Sequence, residues 1–167
     1  MEERSRTSLY IRNFIFGVED SLVSTVGLLS GIVAAGSGKG VIILTGIILI
    51  FVEAFSMAVG SFLSDQSAEE YVHQRDLPLL KSFSGGFTMF VSYFVSGFVP
   101  LAPYIFFPSE QAFWISIGCS LVALFALGAT GSIFSRVNAV KGGFQMAVIG
   151  GLAIGIGVLV GQFFKVG

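Results

Sequence analysis

Residues 14–35 read FIFGVEDSLVSTVGLLSGIVAA. A helix needs about 20 mostly apolar residues to cross a hydrocarbon layer, and this run is long enough, yet it carries Glu19 and Asp20. A second run, residues 41–64, is interrupted once by an acid, Glu53. An unpaired charge at the centre of a bilayer costs at least about 3 kcal/mol, so such acids face a partner, a cavity or a cation. The two runs therefore decide the fold, and their three acids are the functional clue.

Working outward, the chain has 167 residues, 54% hydrophobic and only 11% charged, where soluble domains carry about 25% charged residues. An all-α polytopic membrane protein is expected, with five spans near residues 14–35, 41–64, 84–107, 112–134 and 143–164. Residues 1–167 then form one transmembrane domain. The turns are short: Gly36-Ser37-Gly38-Lys39-Gly40 after the first span, Pro108-Ser109-Glu110 after the third. Between the second and third spans the chain stays polar, then breaks at Leu77-Pro78, which predicts a cytoplasmic extension of the second helix over residues 65–76.

The basic residues sort by side. Arg4, Arg6, Arg12, Arg75, Lys81, Arg136 and Lys141 fall on one face of the membrane, Lys39 and Lys165 on the other. Positive loops stay in the cytoplasm, so the amino terminus is expected inside. Nothing in the charge pattern suggests a nucleic-acid partner. The lone Cys119 excludes an internal disulfide and is expected to be a small packing residue. The first span carries acids where an export signal would be uniformly apolar, so it is expected to stay as a helix. A small chain without organelle-targeting features favours a prokaryotic cell membrane, or a vacuolar-type membrane if the source is eukaryotic.

Glycine pairs at four-residue spacing, Gly27 with Gly31, Gly151 with Gly155 and Gly157 with Gly161, let helix backbones approach closely. They suit either a homodimer with a shared polar path or packing within one subunit. On the second helix Glu53, Met57 and Gly60 share a face, and Asp20, Ser24, Gly27 and Gly31 make a similar stripe on the first. Counted from the expected span ends, Asp20 and Met57 lie at one depth, about 10 Å in. A thioether beside carboxylates suits a transition metal such as ferrous iron better than magnesium or calcium, although methionine in a membrane helix is also ordinary packing. Glu19 points about 100° away from Asp20 and either pairs with Arg12 or holds a proton. In the projection Asp65, Glu69 and His73 fall at successive four-residue steps, and Glu70 with His73 repeats the Glu-x-x-His spacing of carboxylate iron sites. That stretch reads as a metal-collecting face or as a solvated charged one.

At these residues the chain resembles the vacuolar iron transporter family. Phe16-Gly17-Val18-Glu19-Asp20-Ser21-Leu22-Val23 is similar to the family's phenylalanine-glycine, then aspartate-glycine-leucine-valine pattern. The segment from Glu53 through Ser56-Met57 and Gly60 to Leu63-Ser64 is similar to its second helix, and Pro100-Leu101-Ala102-Pro103-Tyr104 and the glycine-rich fifth span agree. Ser21 departs from the family's glycine, and Ala58, Ser61 and Phe62 replace a more glycine- and tyrosine-rich pattern. The resemblance implies export of ferrous iron, or of manganese, from the cytosol in exchange for protons, with metal at Asp20, Glu53 and Met57 and no resident cofactor. It also implies a short form, because some relatives carry a cytoplasmic metal-binding domain where this chain has a stub. A buried carboxyl group favours its proton and a bound dication favours the ionised form, so one group can hold each in turn. A passive dication channel would use the same acids. A structural membrane protein would not need them, and an enzyme is not expected because the single histidine, His73, lies outside the spans.

Overall fold

The computed structural model describes residues 2–73 and 79–164, and every element among them is an α-helix. In chain order these are α1 (Glu2–Ala34), α2 (Lys39–His73), α3 (Leu79–Phe106), α4 (Ser109–Phe134) and α5 (Ala139–Phe163). All five are long and apolar enough to cross a membrane, which is the expected architecture. Only helices and closed barrels satisfy every backbone polar group without water, and this composition has chosen helices. Helix α1 starts ahead of its apolar run, because hydropathy marks where a helix enters lipid and not where its hydrogen bonding begins. With 35 residues, α2 is about 52 Å long at 1.5 Å per residue, well beyond an apolar layer of about 30 Å. It runs helical to His73, and residues 74–76 of the expected extension lie outside the described residues.

The turns follow from local chemistry. Helix α1 ends with Gly36 at φ 84°, where the Gly36 and Ser37 N–H groups donate back to Val33 and Ile32. This double closure requires a left-handed residue, and glycine takes that conformation without a Cβ clash. The same closure ends α4, with Arg136 at φ 56° in the glycine's place. Asn138 opens α5 by accepting the Lys141 N–H at 3.1 Å. Helix α3 runs through Pro100 and Pro103, and the Ser116 hydroxyl of α4 donates to the Pro100 carbonyl at 2.7 Å. The Ile105 carbonyl in the last turn of α3 and the Phe107 carbonyl just past its end accept from the Lys39 ammonium, a cation where the helix dipole favours one.

Helix α1 is central. It touches all four others, while α2 packs on α3 and α5 on α4. Its inner face buries Leu22, Val26 and Leu29, and a cluster of Leu29, Ile42, Ile50, Leu101, Tyr104 and Ala112 joins the first four helices. Elsewhere large apolar side chains such as Phe55, Trp114 and Phe163 face outward, as a lipid-facing surface requires. Cys119 is exposed on α4 and so is not the packing residue expected.

The glycine faces resolve differently. A Cβ on Gly31 would stand 2.7 Å from the Gly157 carbonyl, and Cβ atoms on Gly157 and Gly161 would strike the Gly27 and Gly31 carbonyls. Two of the three faces therefore join α1 to α5 inside one chain. Among the described residues a Cβ on Gly151 or Gly155 would meet nothing within 4 Å, and theirs is the face left open.

Candidate functional site

Helices α1, α2 and α3 stack polar and sulfur-bearing side chains in levels about one turn apart. The α2 positions are Asp65, Ser61, Met57 and Glu53, and the α3 positions are Gly85, Met89 and Tyr93, each four residues from the next. Such steps keep side chains on one helical face with a rise of about 6 Å.

The outer level lies at the end of the bundle where α1 begins. Arg12 Nη2 donates to Asp65 Oδ1 at 2.9 Å, and Asn13 Nδ2 donates to Ser61 Oγ at 3.0 Å and to Asp65 Oδ2 at 3.4 Å. Asp65 is buried. Its side chain thus turns inward to Arg12 and Asn13 and not to solvent. The side chains of Glu69 and His73 lie outside the described residues, and Glu70 accepts a hydrogen bond from Gln66 one turn back at 2.8 Å. Arg12, one of two expected partners for Glu19, gives its guanidinium to Asp65.

The middle level holds sulfur. Met57 from α2 and Met89 from α3 line one cleft of about 670 Å³ together with Phe16, Asn13, Ser61 and Asp65. Met89 packs its sulfur over Gly17, where a Cβ would lie 3.1 Å from it.

The inner level holds the acids. The charges of Asp20 and Glu53 repel across the gap between α1 and α2, and Glu19 adds to the repulsion from the next position on α1. All three side chains are half-buried. The Tyr93 hydroxyl, within electrostatic reach of both Asp20 and Glu53, hydrogen bonds Ser24 Oγ at 2.8 Å. Ser21, fully buried, donates to the Tyr93 carbonyl at 2.7 Å and so fixes α3 against α1. Counting from span ends set Asp20 level with Met57. The structure gives Asp20 an electrostatic partner in Glu53, from which Met57 stands one turn toward the outer end.

Two like charges at this depth leave a net negative potential in a medium that screens poorly, which a dication or a proton relieves. Among the described residues no three His, Cys, Asp or Glu side chains converge on one point. Within one chain a cation would draw on two carboxylates plus neutral oxygen and sulfur from Tyr93, Ser24 and Met57. Sequence reasoning missed Tyr93, Met89 and Asn13. Asn13, a buried amide beside an apolar run, left a legible signal, whereas nothing in the sequence separates Met89 or Tyr93 from ordinary packing residues.

A model of the VIT family matches residues 11–76 and 74–162. Vacuolar iron transporter 1 of Tulipa gesneriana is 25% identical over 204 residues, covering 86% of this chain and 82% of that protein. Vacuolar iron transporter homolog 3 of Arabidopsis thaliana is 26% identical over 168 residues, covering 91% of this chain and 82% of its own. Vacuolar iron transporter cccA of Arthroderma benhamiae reaches 37% identity over 82 residues, 42% of this chain and 29% of that one. The tulip alignment is longer than this whole chain while using only part of it, so that relative has residues with no counterpart here. The expected prokaryotic cell membrane is not borne out by these relatives, whose names refer to the vacuole.

Proposed function

The chain belongs to the VIT family, and on that premise we propose that it carries ferrous iron, and manganese as a second cargo, out of the cytosol in exchange for protons. The observation that supports this most directly is the placement of Asp20 and Glu53 within electrostatic reach of each other in the spans, beside the Tyr93 and Ser24 hydroxyls. A pair of carboxylates within reach of each other can share a dication, and protons compete with the metal for the same oxygens, so exchange follows from that competition. Met57 then biases the choice toward a transition metal. Glu19 serves as a proton holder beside them.

We take the outer end, with Arg12 and the projection of α2, as the cytoplasmic one, on the sorting of basic residues. The working unit is a homodimer, because one chain supplies few ligands and the Gly151 and Gly155 face stands open. Glu69, Glu70 and His73, on the stub between the spans, collect metal from the cytosol. The two segments matched by the family model meet at residues 74–76, where the short form would omit the larger cytoplasmic domain.

The test is metal uptake into vesicles of known orientation with a proton-sensitive dye inside. Asp20→Ala and Glu53→Ala are expected to abolish flux, and Met57→Ala to change metal preference more than total protein recovered. Flux that ignores a pH gradient imposed without voltage would leave a passive channel. Full activity in both carboxylate variants would remove them from the mechanism.

A further inference from the structure

The outer level contains a charged pair that the transport chemistry above does not use. Asp65 has a side chain only 8% exposed, and its partner Arg12 is 66% exposed. The carboxylate lies at the meeting point of three helices: Arg12 and Asn13 of α1 donate to it, Ser61 sits one turn along α2 and shares Asn13, and α3 passes at Gly85. A Cβ on Gly85 would come within 2.7 Å of Asp65 Oδ2, so the missing side chain is what leaves the carboxylate room. The pair stands on the wall of the cleft that also holds Met57 and Met89, and it is the outermost anionic group there.

The ion pair has the marks of an exchangeable contact. It runs through one guanidinium nitrogen, Nη2, whereas the strong arginine–carboxylate geometry is a two-pronged fork. The arginine is mostly in water, where an ion pair contributes about 1 kcal/mol or less. A dication carries twice the charge and takes oxygen ligands, which the Asp65 carboxylate and the Ser61 hydroxyl offer, while the Asn13 Nδ2 donates to both and holds them together.

We propose that Asp65 is the first carboxylate that the cargo meets inside the cleft, with the Ser61 hydroxyl beside it, and that Arg12 is a tethered cation holding that place until a divalent transition metal displaces its guanidinium. The exchange frees the start of α1 from the projection of α2 and opens the cleft toward the thioethers of Met57 and Met89, soft donors that discriminate against magnesium and calcium. This rests on the reading of the chain as a metal transporter.

The decisive comparison is the sign of two substitutions in proteoliposomes of the full chain, with Co²⁺ and Fe²⁺ as probes. Arg12→Gln removes the competitor and is expected to lower the metal KM by about threefold, while Asp65→Asn removes the ligand and raises it by at least as much. A pair that merely ties two helices would respond to both substitutions in the same direction, and that result overturns the proposal, as does an unmoved KM in Arg12→Gln. Because Arg12 is exposed, its variant decides the sign even if Asp65→Asn does not fold.

A second measurement does not depend on transport. In the purified Asp20→Asn/Glu53→Gln protein, which lacks the inner carboxylates, Co²⁺ binding by equilibrium dialysis is expected to persist and to tighten when Arg12→Gln is added. No Co²⁺ bound in either background overturns the outer site. Binding that tightens in this way in a chain whose wild type shows no metal flux would overturn the transport reading and leave the site standing.

Discussion

The Tyr93 hydroxyl joins two kinds of contact: it bonds Ser24 at 2.8 Å and lies within electrostatic reach of Asp20 and Glu53. Removing it as Tyr93→Phe keeps the ring and its packing. The expected loss of stability is about 1 kcal/mol, the usual net worth of one hydrogen bond, read as a shift in the unfolding midpoint in detergent. If the hydroxyl also faces the cargo, the metal KM rises in the same variant, and an unchanged KM would restrict Tyr93 to holding α1 against α3. At this scale the sequence was legible wherever chemistry broke a pattern. Glu19, Asp20 and Glu53 stood out because acids are costly in apolar runs. Asp65 was visible as an acid on a face read as either metal-collecting or solvated, and its burial was not, since its inward turn depends on Arg12 and Asn13, more than 50 positions earlier. Tyr93 and Met89 were silent, because aromatic and sulfur side chains are ordinary in membrane helices and only a neighbour on another helix gives them a task.

Among the elements, the seam of α1 with α5 is the clearest structural commitment. Backbones approach there because four glycines present no side chain, and membrane helices depend on such close packing where the hydrophobic effect is weak. Gly161→Ala would drive a Cβ into the Gly31 carbonyl and is expected to destabilise the protein by about 2 kcal/mol, within the range for overpacking. Gly155→Ala adds the same atom where nothing described in its own chain meets it, so it should cost the packing within one chain nothing, and a lowered midpoint would mark a face that a second copy covers. Thermal unfolding of the two variants side by side checks both. Helix existence was legible from span-length hydropathy, and so was the continuation of α2 past its apolar stretch. Which glycine pairs would meet was not, since the Gly-xxx-Gly spacing is identical whether the partner helix lies in the same chain or another. Arg136 in a left-handed turn was equally hidden, because its position is fixed by where α4 ends, and the sequence places a glycine of the same role only at Gly36.

For the whole molecule, the polar levels run on three helices while α4 and α5 stand behind α1. The end carrying Arg12 and Asp65 opens to a cleft, and at the far end the Lys39 ammonium covers carbonyls at and just past the end of α3. The glycine seam sets what kind of machine such a layout can be. With no side chains between their backbones, α1 and α5 have no slack and behave as a stator. The slider is then the α2 and α3 pair, which meets that frame through side chains, the apolar cluster around Leu29, the Ser21 hydroxyl on Tyr93 and the outer ion pair. Spin labels on exposed positions of α1 and α5 should keep a fixed separation throughout turnover, while labels on α1 and α2 change theirs when metal binds, as read by pulsed electron resonance. A cycle in which α1 and α5 part company would require peeling apart backbone contacts that run from Gly27 to Gly31 on one helix and from Ala153 to Gly161 on the other, and a protein built that way would forfeit its stiffest joint on every stroke.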